Sequence, residues 1–326
     1  MILRKSILAA SCCGVLAIGV AACGGSSDDE SSASGGGSDV SGLSGSIRVD
    51  GSSTVGPLTQ AVAEQFSGSN PDVDVTVGQA GTGGGFEKFC VGETAINDAS
   101  REIEPEEAAI CKKNNIPYEG LQVANDALTV VVNPNNPNTC LSVEQLASIW
   151  GPDNPASSWS DVEGTDSSFS ADIERFGPGT TSGTFDYFTD AINGEEGVQT
   201  KDYNNVGEND NQTVTGVEGS EGGIGYFGFS YYEENASQLK ALEIKNPDTG
   251  KCVAPSEETV RDGSYAPLGR PLFMYPNTDD AAKDPVKGFL TYYLDNVNDI
   301  APSVGFITLT DEQLKKSQDT LASMTG

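Results

Sequence analysis

Three short runs of Gly, Ser and Thr constrain the fold of this chain more than any other feature. They are D-G-S-S-T-V-G at 50–56, A-G-T-G-G-G-F at 80–86 and G-P-G-T-T-S-G-T-F at 177–185. Each run follows an apolar, strand-like segment and precedes a helix-like one. The first N–H groups of a helix have no partner within the helix, and the helix dipole makes that end positive. Because Gly lets the backbone approach a ligand and hydroxyls add donors, the runs favour anion sites. Ser and Thr are also ordinary helix caps, and Gly is ordinary in loops, so a purely structural role is the alternative.

The order of the segments predicts an α/β fold. Alternating or continuous apolar residues predict strands at 47–49, 73–77, 128–132, 173–176, 224–227, 242–244 and 272–275. Helical periodicity predicts helices at 57–66, 86–90, 104–114, 141–150, 182–192, 281–293 and 311–323. The N-D-N run at 209–211 lacks the Gly and the distal Glu of a calcium loop, and we interpret it as a solvated turn. Strands that alternate with helices over this length indicate a layered α/β architecture.

Charge and composition exclude several classes of function. The chain has 18 Lys and Arg against 48 Asp and Glu, for a net charge of −30, which disfavours binding to nucleic acid or to anionic lipid. It has no His, which excludes a Ser-His-Asp or Cys-His catalytic site and any His-ligated metal. The G-T-T-S-G at 179–183 also differs from the G-x-S-x-G of a nucleophile elbow. We therefore expect no catalytic residue, no metal and no cofactor, and we expect that the protein is not an enzyme.

The first 45 residues read as a targeting segment followed by a tether. Arg4 and Lys5 form a basic start, 7–20 is a short apolar stretch, and V-A-A-C ends at Cys23. Small residues directly before a Cys resemble the lipobox of bacterial lipoproteins, which implies a signal peptide over 1–22 and lipid attachment at Cys23. A plain signal peptide with an incidental Cys is the alternative. Residues 23–45 are mostly Gly, Ser and Asp and predict a flexible tether. We expect an exported protein held on the cell membrane by lipid, in the periplasm or on the outer face of the cytoplasmic membrane.

Cysteine usage agrees with export. Of the seven cysteines, Cys12 and Cys13 fall in the predicted signal peptide and Cys23 is the predicted lipid attachment point. The remaining four are Cys90, Cys111, Cys140 and Cys252. An even number of cysteines outside the cytoplasm implies two disulfides, for which three connectivities are open. A metal site is the alternative, but the chain has neither a C-x-x-C pair nor a His.

Motifs along nearly the whole mature chain, in order, resemble the phosphate-binding lipoproteins of bacterial phosphate ABC importers, the PstS family. Besides the three Gly, Ser and Thr runs, they are D-A-S-R at 98–101, G-Y-F-G-F-S-Y-Y at 225–232 and D-G-S-Y-A-P-L-G-R-P-L-F at 262–273. The resemblance implies an extracytoplasmic solute-binding lipoprotein. Such a protein captures inorganic phosphate between two lobes and delivers it to the permease subunits of an ABC importer.

The same resemblance implies a two-lobed, periplasmic-binding-protein-like fold with two hinge crossovers, of type II. Lobe 1 would be discontinuous, formed by 46–126 and 267–326, and lobe 2 would comprise 127–266. The disulfides Cys90–Cys111 and Cys140–Cys252 would then each lie within one lobe. The other two pairings would tie the lobes together and hinder closure.

Phosphate-binding residues carry over motif by motif. Ser53 and Thr54 match the start of the first helix, Thr82 and Gly83 match the second loop, and Ser182, Gly183 and Thr184 match the S-G-T of the second lobe. Two positions differ from well-known members, which carry an Asp where this chain has Arg101 and an Arg where it has Pro178. The simplest hypothesis is that Arg101 supplies the positive charge. The alternative is a surface Arg in a weak salt bridge at the rim.

The missing Asp bears on specificity. Phosphate near neutral pH keeps a proton, because the relevant pKa is roughly 6 to 7, whereas sulfate keeps none. A carboxylate that accepts this proton would repel sulfate. The candidates are Asp50, Asp98, Asp186 and Asp210, among which the sequence does not choose. A hydroxyl or carbonyl acceptor, with weaker discrimination, is the alternative.

The expected partners are inorganic phosphate, the permease and, through the lipid anchor alone, the membrane; the protein itself is expected to be a monomer that binds no nucleic acid. The alternatives are the same fold tuned to sulfate, molybdate or tungstate, a surface phosphate sensor or adhesion lipoprotein, and, least favoured, a lipid-anchored phosphatase.

Overall fold

The computed structural model describes residues 42–180, 182–207 and 209–326. The predicted signal peptide, Cys23 and the tether up to residue 41 lie outside the described residues. The strands are β1 (Ser44–Gly51), β2 (Asp72–Val77), β3 (Ile96–Ala99), β4 (Leu121–Val132), β5 (Cys140–Leu141), β6 (Glu174–Gly177), β7 (Asn204–Asn205), β8 (Gly223–Gly228), β9 (Lys240–Ala241), β10 (Glu243–Lys245), β11 (Cys252–Val253) and β12 (Gly269–Pro276). Because β1 begins at Ser44, the last two residues of the predicted tether belong to a strand.

The helices alternate with these strands, as expected for an α/β protein. They are α1 (Gly56–Ser69), α2 (Thr82–Phe89), α3 (Pro105–Lys113), α4 (Val143–Trp150), α5 (Gly183–Asn193), α6 (Asp210–Gly219), α7 (Phe229–Asn235), α8 (Glu257–Arg261), α9 (Thr278–Ala281), α10 (Asp284–Ile300) and α11 (Asp311–Thr325). Local sequence fixes several of their starts. Ser142 and Gln145 form a reciprocal capping box at α4, and Glu104 and Glu107 form one at α3.

Several predicted elements have different bounds in the structure; helix α2, for example, begins at Thr82 rather than at residue 86. Strand β4 begins at Leu121, seven residues earlier than predicted, because its first half is buried despite the polar A-N-D-A at 124–127. Helix α10 continues to Ile300. The interpretation of the N-D-N run at 209–211 as a solvated turn is wrong, because α6 begins at Asp210 with Asn209 as its N-cap residue. An acidic residue in the first turn suits the helix dipole, so the same residues that resemble a turn start a helix.

The longer sheet changes partners in the middle of one strand. Its order is β2-β1-β3-β12-β4-β8-β6-β7, with β9 also paired to β4, while β11-β10-β5 forms a smaller sheet. Residues 121–127 of β4 pair with antiparallel β12, and residues 128–132 pair with antiparallel β8. The change falls between Ala127, opposite Gly269, and Leu128, opposite Gly228. Strand β4 therefore passes from one half of the protein to the other without a break.

Each half of the sheet has its own hydrophobic core. The first core joins β1, β2 and β12 to α1 and α10, with Phe66 edge-on to Phe289 at a ring-centroid distance of 5.5 Å. The second joins β8 to α4 and α5, where Phe188 stacks on Tyr226 at 3.7 Å and Trp150 meets Tyr226 edge-on at 5.0 Å. Aromatic side chains dominate buried area, so each half is stabilised separately. The fold is therefore the predicted two-lobed α/β fold.

Both predicted disulfides are present. Cys90 is bonded to Cys111 and Cys140 to Cys252, with Cα–Cα distances of 4.2 and 6.0 Å. The first bond staples α2 to α3, and the second joins β5 to β11 at the two edges of the smaller sheet. They close chain segments of very different length, with sequence separations of 21 and 112 residues. The pairing implied by the family resemblance is therefore confirmed.

Candidate functional site

The first Gly, Ser and Thr run connects β1 to α1 and presents two hydroxyls. The hydroxyl of the buried Ser52 accepts hydrogen bonds from the backbone N–H groups of Thr54 and Val55, at 3.2 and 3.4 Å. These bonds turn the chain into α1, as side-chain-to-backbone bonds do at helix starts. Ser53 and Thr54 are only partly buried and line a cavity. The loop therefore holds both predicted residues at a cavity wall.

The second run places Thr82 at the first residue of α2. The hydroxyls of Thr82 and Ser100 are 3.0 Å apart, and the Thr82 hydroxyl also accepts the backbone N–H of Ser100 at 3.1 Å. A Cβ atom at Gly85 would lie 2.0 Å from Oδ1 of Asn97 and 2.5 Å from Cα of Gly51. Only Gly fits there, so α2 packs directly on the ends of β1 and β3. This packing brings the second run beside the first.

The third run lies against the first, although the two belong to different halves of the sheet. Gly183 begins α5, and Ser182 is its N-cap residue, whose side chain makes no capping bond with the described first turn. A Cβ atom at Gly183 would lie 3.0 Å from Oγ1 and 3.3 Å from Cα of Thr54. The N-terminal ends of α1 and α5, which carry orphan N–H groups, therefore meet at this contact.

Two cavities divide the predicted site residues between them. The first, here called the Ser182 cavity, has a volume of about 380 Å³ and is lined by Ser53, Thr54, Ser182, Gly183 and Thr184 of the predicted set. The second, the Thr82 cavity, has a volume of about 560 Å³ and is lined by Thr82, Gly83 and Arg101. A broader surface groove of about 730 Å³ beside Arg261 and Lys316 contains no predicted phosphate-binding residue. The structure thus gathers the predicted set in two places rather than one.

Arg101 lines the Thr82 cavity, but carboxylates already surround its guanidinium. Nη1 and Nη2 each donate to one carboxylate oxygen of Glu107 at 2.9 Å, and Nε lies 3.3 Å from Glu104. The hydrogen bond to Glu107 is the main reason why the pKa of Arg101 is raised. The Arg101 side chain is also 36% exposed. Both the predicted charge-donating role and the rim salt bridge are therefore compatible with its position.

A second arginine, Arg270 on β12, was missed by the sequence reasoning. Its Nη2 donates to the hydroxyl of Thr54 at 3.0 Å, and its Nε and Nη2 both lie 3.4 Å from one carboxylate oxygen of Asp126. Its guanidinium carbon lies 3.4 Å from the centroid of the Tyr187 ring, in cation–π geometry. The available signal was a lone Arg in the G-R-P-L-F strand pattern, since a charge in a buried strand must be paired.

Three of the four predicted acceptor carboxylates, Asp50, Asp98 and Asp186, line neither cavity, and the first two have structural roles. Asp50 accepts hydrogen bonds from Lys88 and from the backbone N–H of Ala80. Burial raises its pKa, but these bonds outweigh burial and the net pKa is lowered. Asp98 is fully buried, and burial raises its pKa to about 8, helped by repulsion from Asp50 and opposed by the hydroxyl of Thr59. Asp50 therefore anchors the second run, and Asp98 belongs to the interior of the first half.

The other two acceptor candidates are attracted by Arg270 or line a cavity. Asp186, in the first turn of α5, has its pKa raised by burial, against the attraction of Arg270. Asp210, at the start of α6, lines the Ser182 cavity. So does Asp126 of β4, which the sequence reasoning did not consider and whose pKa burial raises against the attraction of Arg270. Asp126 and Asp210 thus line the Ser182 cavity with its predicted hydroxyls, whereas Glu104, Asp190 and Glu196 line the Thr82 cavity.

The protein has a two-lobed α/β fold, and helix starts from both halves meet at a cavity. These features are typical of periplasmic-binding-protein-like proteins. The sequence profile of the PBP superfamily domain matches residues 32–297. Protein SphX of Synechococcus elongatus is 46% identical over 266 residues, which cover 81% of this chain and 77% of the relative. The phosphate-binding protein PstS of Staphylococcus saprophyticus is 35% identical over 285 residues, which cover 86% of each. The chain belongs to the PstS family of phosphate-binding proteins within the PBP superfamily.

Comparison with solved structures supports the same family and the same fold. A possible phosphate binding protein from Planctomyces limnophilus is 43% identical and superimposes with a TM-score of 0.83, covering 87% of this chain and 100% of the other. An ABC-type phosphate transport receptor from Vibrio cholerae, 21% identical, superimposes with a TM-score of 0.66 over 81% of this chain and 100% of the other, and shows the fold alone. The family consists of extracytoplasmic substrate-binding proteins rather than enzymes. Within residues 42–180, 182–207 and 209–326, no helix has the length and apolar character needed to cross a membrane.

Proposed function

We propose that this protein captures inorganic phosphate between its two lobes and delivers it to the permease of an ABC importer. The single observation that carries the proposal is the contact of Gly183 with Thr54, because it joins two predicted anion loops from opposite halves of the sheet. The names of the PstS relative and of the Planctomyces limnophilus structure support phosphate as the anion. The V. cholerae structure supports the fold that this mechanism needs.

The proposed ligand set combines both cavities. Ser53, Thr54, Ser182, Gly183 and Thr184 would donate from the Ser182 cavity, and Thr82, Gly83 and Arg101 from the Thr82 cavity. A micromolar complex needs about 8 kcal/mol net. Hydrogen bonds to a charged group contribute roughly 1.5–3 kcal/mol each. Several such bonds are sufficient even after association costs of about 4 kcal/mol or more. Neutral donors at helix starts can therefore carry most of the affinity.

The proposed lobes are 46–126 with 267–326, and 127–266. Support comes from the two separate cores and from the change of partner along β4 between Ala127 and Leu128. Under these bounds each disulfide lies inside one lobe, so neither would oppose hinge motion. Phosphate would enter the open form and be desolvated as the loops before α1 and α5 come together.

A carboxylate beside the hydroxyls would select protonated phosphate. Asp126 and Asp210 are the candidates that line the Ser182 cavity. Either could accept the proton that phosphate carries and sulfate lacks, and each would repel a fully ionised anion. We also propose that the protein is a monomer that has no enzymatic activity and needs no cofactor. It would be exported and anchored to the membrane through lipid on Cys23.

Calorimetric titration tests the proposal directly. The full mature chain is titrated at pH 7.5 with phosphate, sulfate and molybdate under the same ionic strength. We expect a micromolar or tighter dissociation constant for phosphate and weaker binding of the other two. Absence of heat with phosphate overturns the proposal, and a preference for sulfate or molybdate reassigns the ligand. Turnover of a chromogenic phosphate ester would instead indicate a phosphatase.

Normal phosphate binding by itself does not separate transport from sensing or adhesion. For that, uptake of radiolabelled phosphate is compared between cells that contain the protein and cells that lack it. We expect uptake at low external phosphate to fall without the protein. Unchanged uptake would favour a surface sensor or adhesion role.

A further inference from the structure

Arg270 links three elements that the proposed site must bring together. It lies on β12, and its described partners are Thr54 in the loop before α1, Asp126 on β4 and Tyr187 on α5. The loop before α1 and helix α5 belong to opposite halves of the sheet, while β4 and β12 are paired side by side where the halves join. A cation at this junction can contact a ligand that both halves hold.

Arg270 also joins the two cavities. It lines the Thr82 cavity together with Thr82, Gly83 and Arg101. Its hydrogen-bond partners Thr54 and Asp126 line the Ser182 cavity. The guanidinium thus stands at the partition between the two groups of predicted donors. An anion bound at this partition would reach donors of both cavities.

The guanidinium of Arg270 is largely but not fully buried, and it is not tightly paired. Its side chain is 14% exposed and that of Asp126 is 10% exposed, and each carboxylate contact is 3.4 Å long. A charge-assisted N–H···O bond is normally about 2.7–2.9 Å. The stacking of Arg270 on Tyr187 holds the plane of the guanidinium without consuming a donor. The group is therefore fixed in place while its carboxylate partner holds it loosely.

Arg101 shows the opposite combination. Glu107 holds both of its terminal nitrogens at 2.9 Å and Glu104 lies 3.3 Å from Nε, so two carboxylates oppose one positive charge. Its side chain is 36% exposed, against 14% for Arg270. Exposed charges are screened by solvent and salt, whereas a buried charge acts through a lower effective dielectric. Of these two cavity-lining arginines, Arg270 is the better placed to attract an anion.

We propose that Arg270 is a specificity-determining residue of the phosphate site and supplies its main positive charge, with Asp126 as its fixed counterion. This inference rests on the proposed function. The anion would receive hydrogen bonds from Nη1 of Arg270, which makes none with the described residues, and from the hydroxyl of Thr54, whose proton is free to point outward while its oxygen accepts from Nη2 of Arg270. Tyr187 would keep the guanidinium flat, a shape that suits two-point contact with an oxyanion.

The test compares phosphate titrations of the wild type with those of Arg270→Lys, Arg270→Gln and Arg101→Gln. Lys keeps the charge but not the planar fork, so we expect Arg270→Lys to weaken binding by roughly 10-fold or more. Arg270→Gln should weaken it by roughly 100-fold or more, because both the charge and its hydrogen bond are removed. Arg101→Gln tests the other cavity-lining arginine of the proposed ligand set, and it should weaken binding by less than either Arg270 variant. Full binding by both Arg270 variants overturns the inference.

A second variant separates a binding role from a folding role. Removing Arg270 alone leaves Asp126 as a buried unpaired carboxylate, which destabilises a fold. The double variant Arg270→Gln/Asp126→Asn removes both charges, so we expect a thermal midpoint near that of the wild type but no tight phosphate binding. A stable double variant with wild-type affinity would contradict the inference. If the wild type itself does not bind phosphate, the proposed function fails; if it binds and the Arg270 variants are unaffected, only the inference fails.

Discussion

Gly183 lies against Thr54 so closely that a single added carbon would meet the Thr54 hydroxyl at 3.0 Å. The contact joins the start of α5 to the loop before α1, and so one half of the sheet to the other. The sequence predicts each residue as part of the site from its own run, but it does not show that the two lie against each other. Their contact sets how near the two halves can come, and it makes Gly183 a position where size alone affects the ligand.

Gly183→Ala should therefore weaken phosphate binding without unfolding the protein. The new methyl group needs a shift of a few tenths of an ångström at Thr54, and overpacking of this kind costs about 1–3 kcal/mol. We expect an affinity loss of roughly tenfold or more by calorimetry. Gly68→Ala is the matched control, because its Cβ would meet nothing within 4 Å on α1. Equal affinities for the two variants would show that this contact does not limit closure.

Asp126→Asn should reduce the preference for phosphate over sulfate. The substitution removes a buried carboxylate that would accept the phosphate proton and would repel sulfate, and it leaves Arg270 without its counterion. We expect the ratio of the two dissociation constants to fall by roughly tenfold or more, mainly because sulfate binds more tightly. Asp210→Asn is measured in parallel as the other candidate, and Asp186→Asn is the control that lines neither cavity. An unchanged ratio in both Asp126→Asn and Asp210→Asn would remove the carboxylate from the specificity mechanism.

The buried carboxyl of Asp98 should make stability fall as pH rises. Its pKa is raised from 3.8 to about 8, mainly by burial, so between these values the folded state keeps a proton that the unfolded state has lost. Stability from this group is complete below about pH 4 and is lost progressively until the pH passes about 8. Asp98→Asn mimics the protonated form, so its denaturation midpoint should rise relative to that of the wild type as pH goes from 5 to 8.5. Parallel pH profiles for the two proteins would contradict this.

The two disulfides should stabilise the fold without contributing to affinity. The loop-entropy model gives about 3 kcal/mol for the shorter closed segment and about 5 kcal/mol for the longer one. Replacing Cys140 and Cys252 by Ser should therefore lower the free energy of unfolding more than replacing Cys90 and Cys111. Urea denaturation gives the order, and calorimetry on the folded variants checks affinity. A large affinity loss in either variant would mean that the bond also shapes the ligand site.

Much of the fold was predictable because its elements obey simple periodicity. The apolar run at 128–132 marked the second half of β4, and the face of Phe185, Phe188 and Ile192 marked α5. The first half of β4 was not predictable in the same way. Asn125 and Asp126 interrupt the apolar pattern, yet both are buried because the loop at Ile307, the side chain of Gln313 and Arg270 satisfy their polar groups. The first half of β4 therefore depends on partners that are distant in sequence, and a local sequence pattern does not show such partners.

The sequence predicted hydroxyl residues that line the two cavities, but it did not predict the contact between Arg270 and Asp126. Thr54, Thr82 and Ser182 could be predicted because helix starts have a local sequence pattern of Gly and hydroxyl residues. Arg270 and Asp126 have no such signature. They come into contact because β12 returns to pair with β4 in antiparallel register, with Arg270 directly opposite Asp126. A sequence shows each charge, but only the register shows that the two form a pair.

That shared strand has a consequence for how the protein can be cut or altered. β4 gives its first seven residues to β12 and its last five to β8, so both halves are aligned by one continuous backbone. Side chains alternate along a strand, and losing one residue reverses the facing of everything beyond it. If Ala127 were deleted, only one half of β4 could keep its register. The side chains of the other half would then face the wrong side of the sheet. Because both halves depend on β4, we expect that neither half folds stably as an isolated fragment.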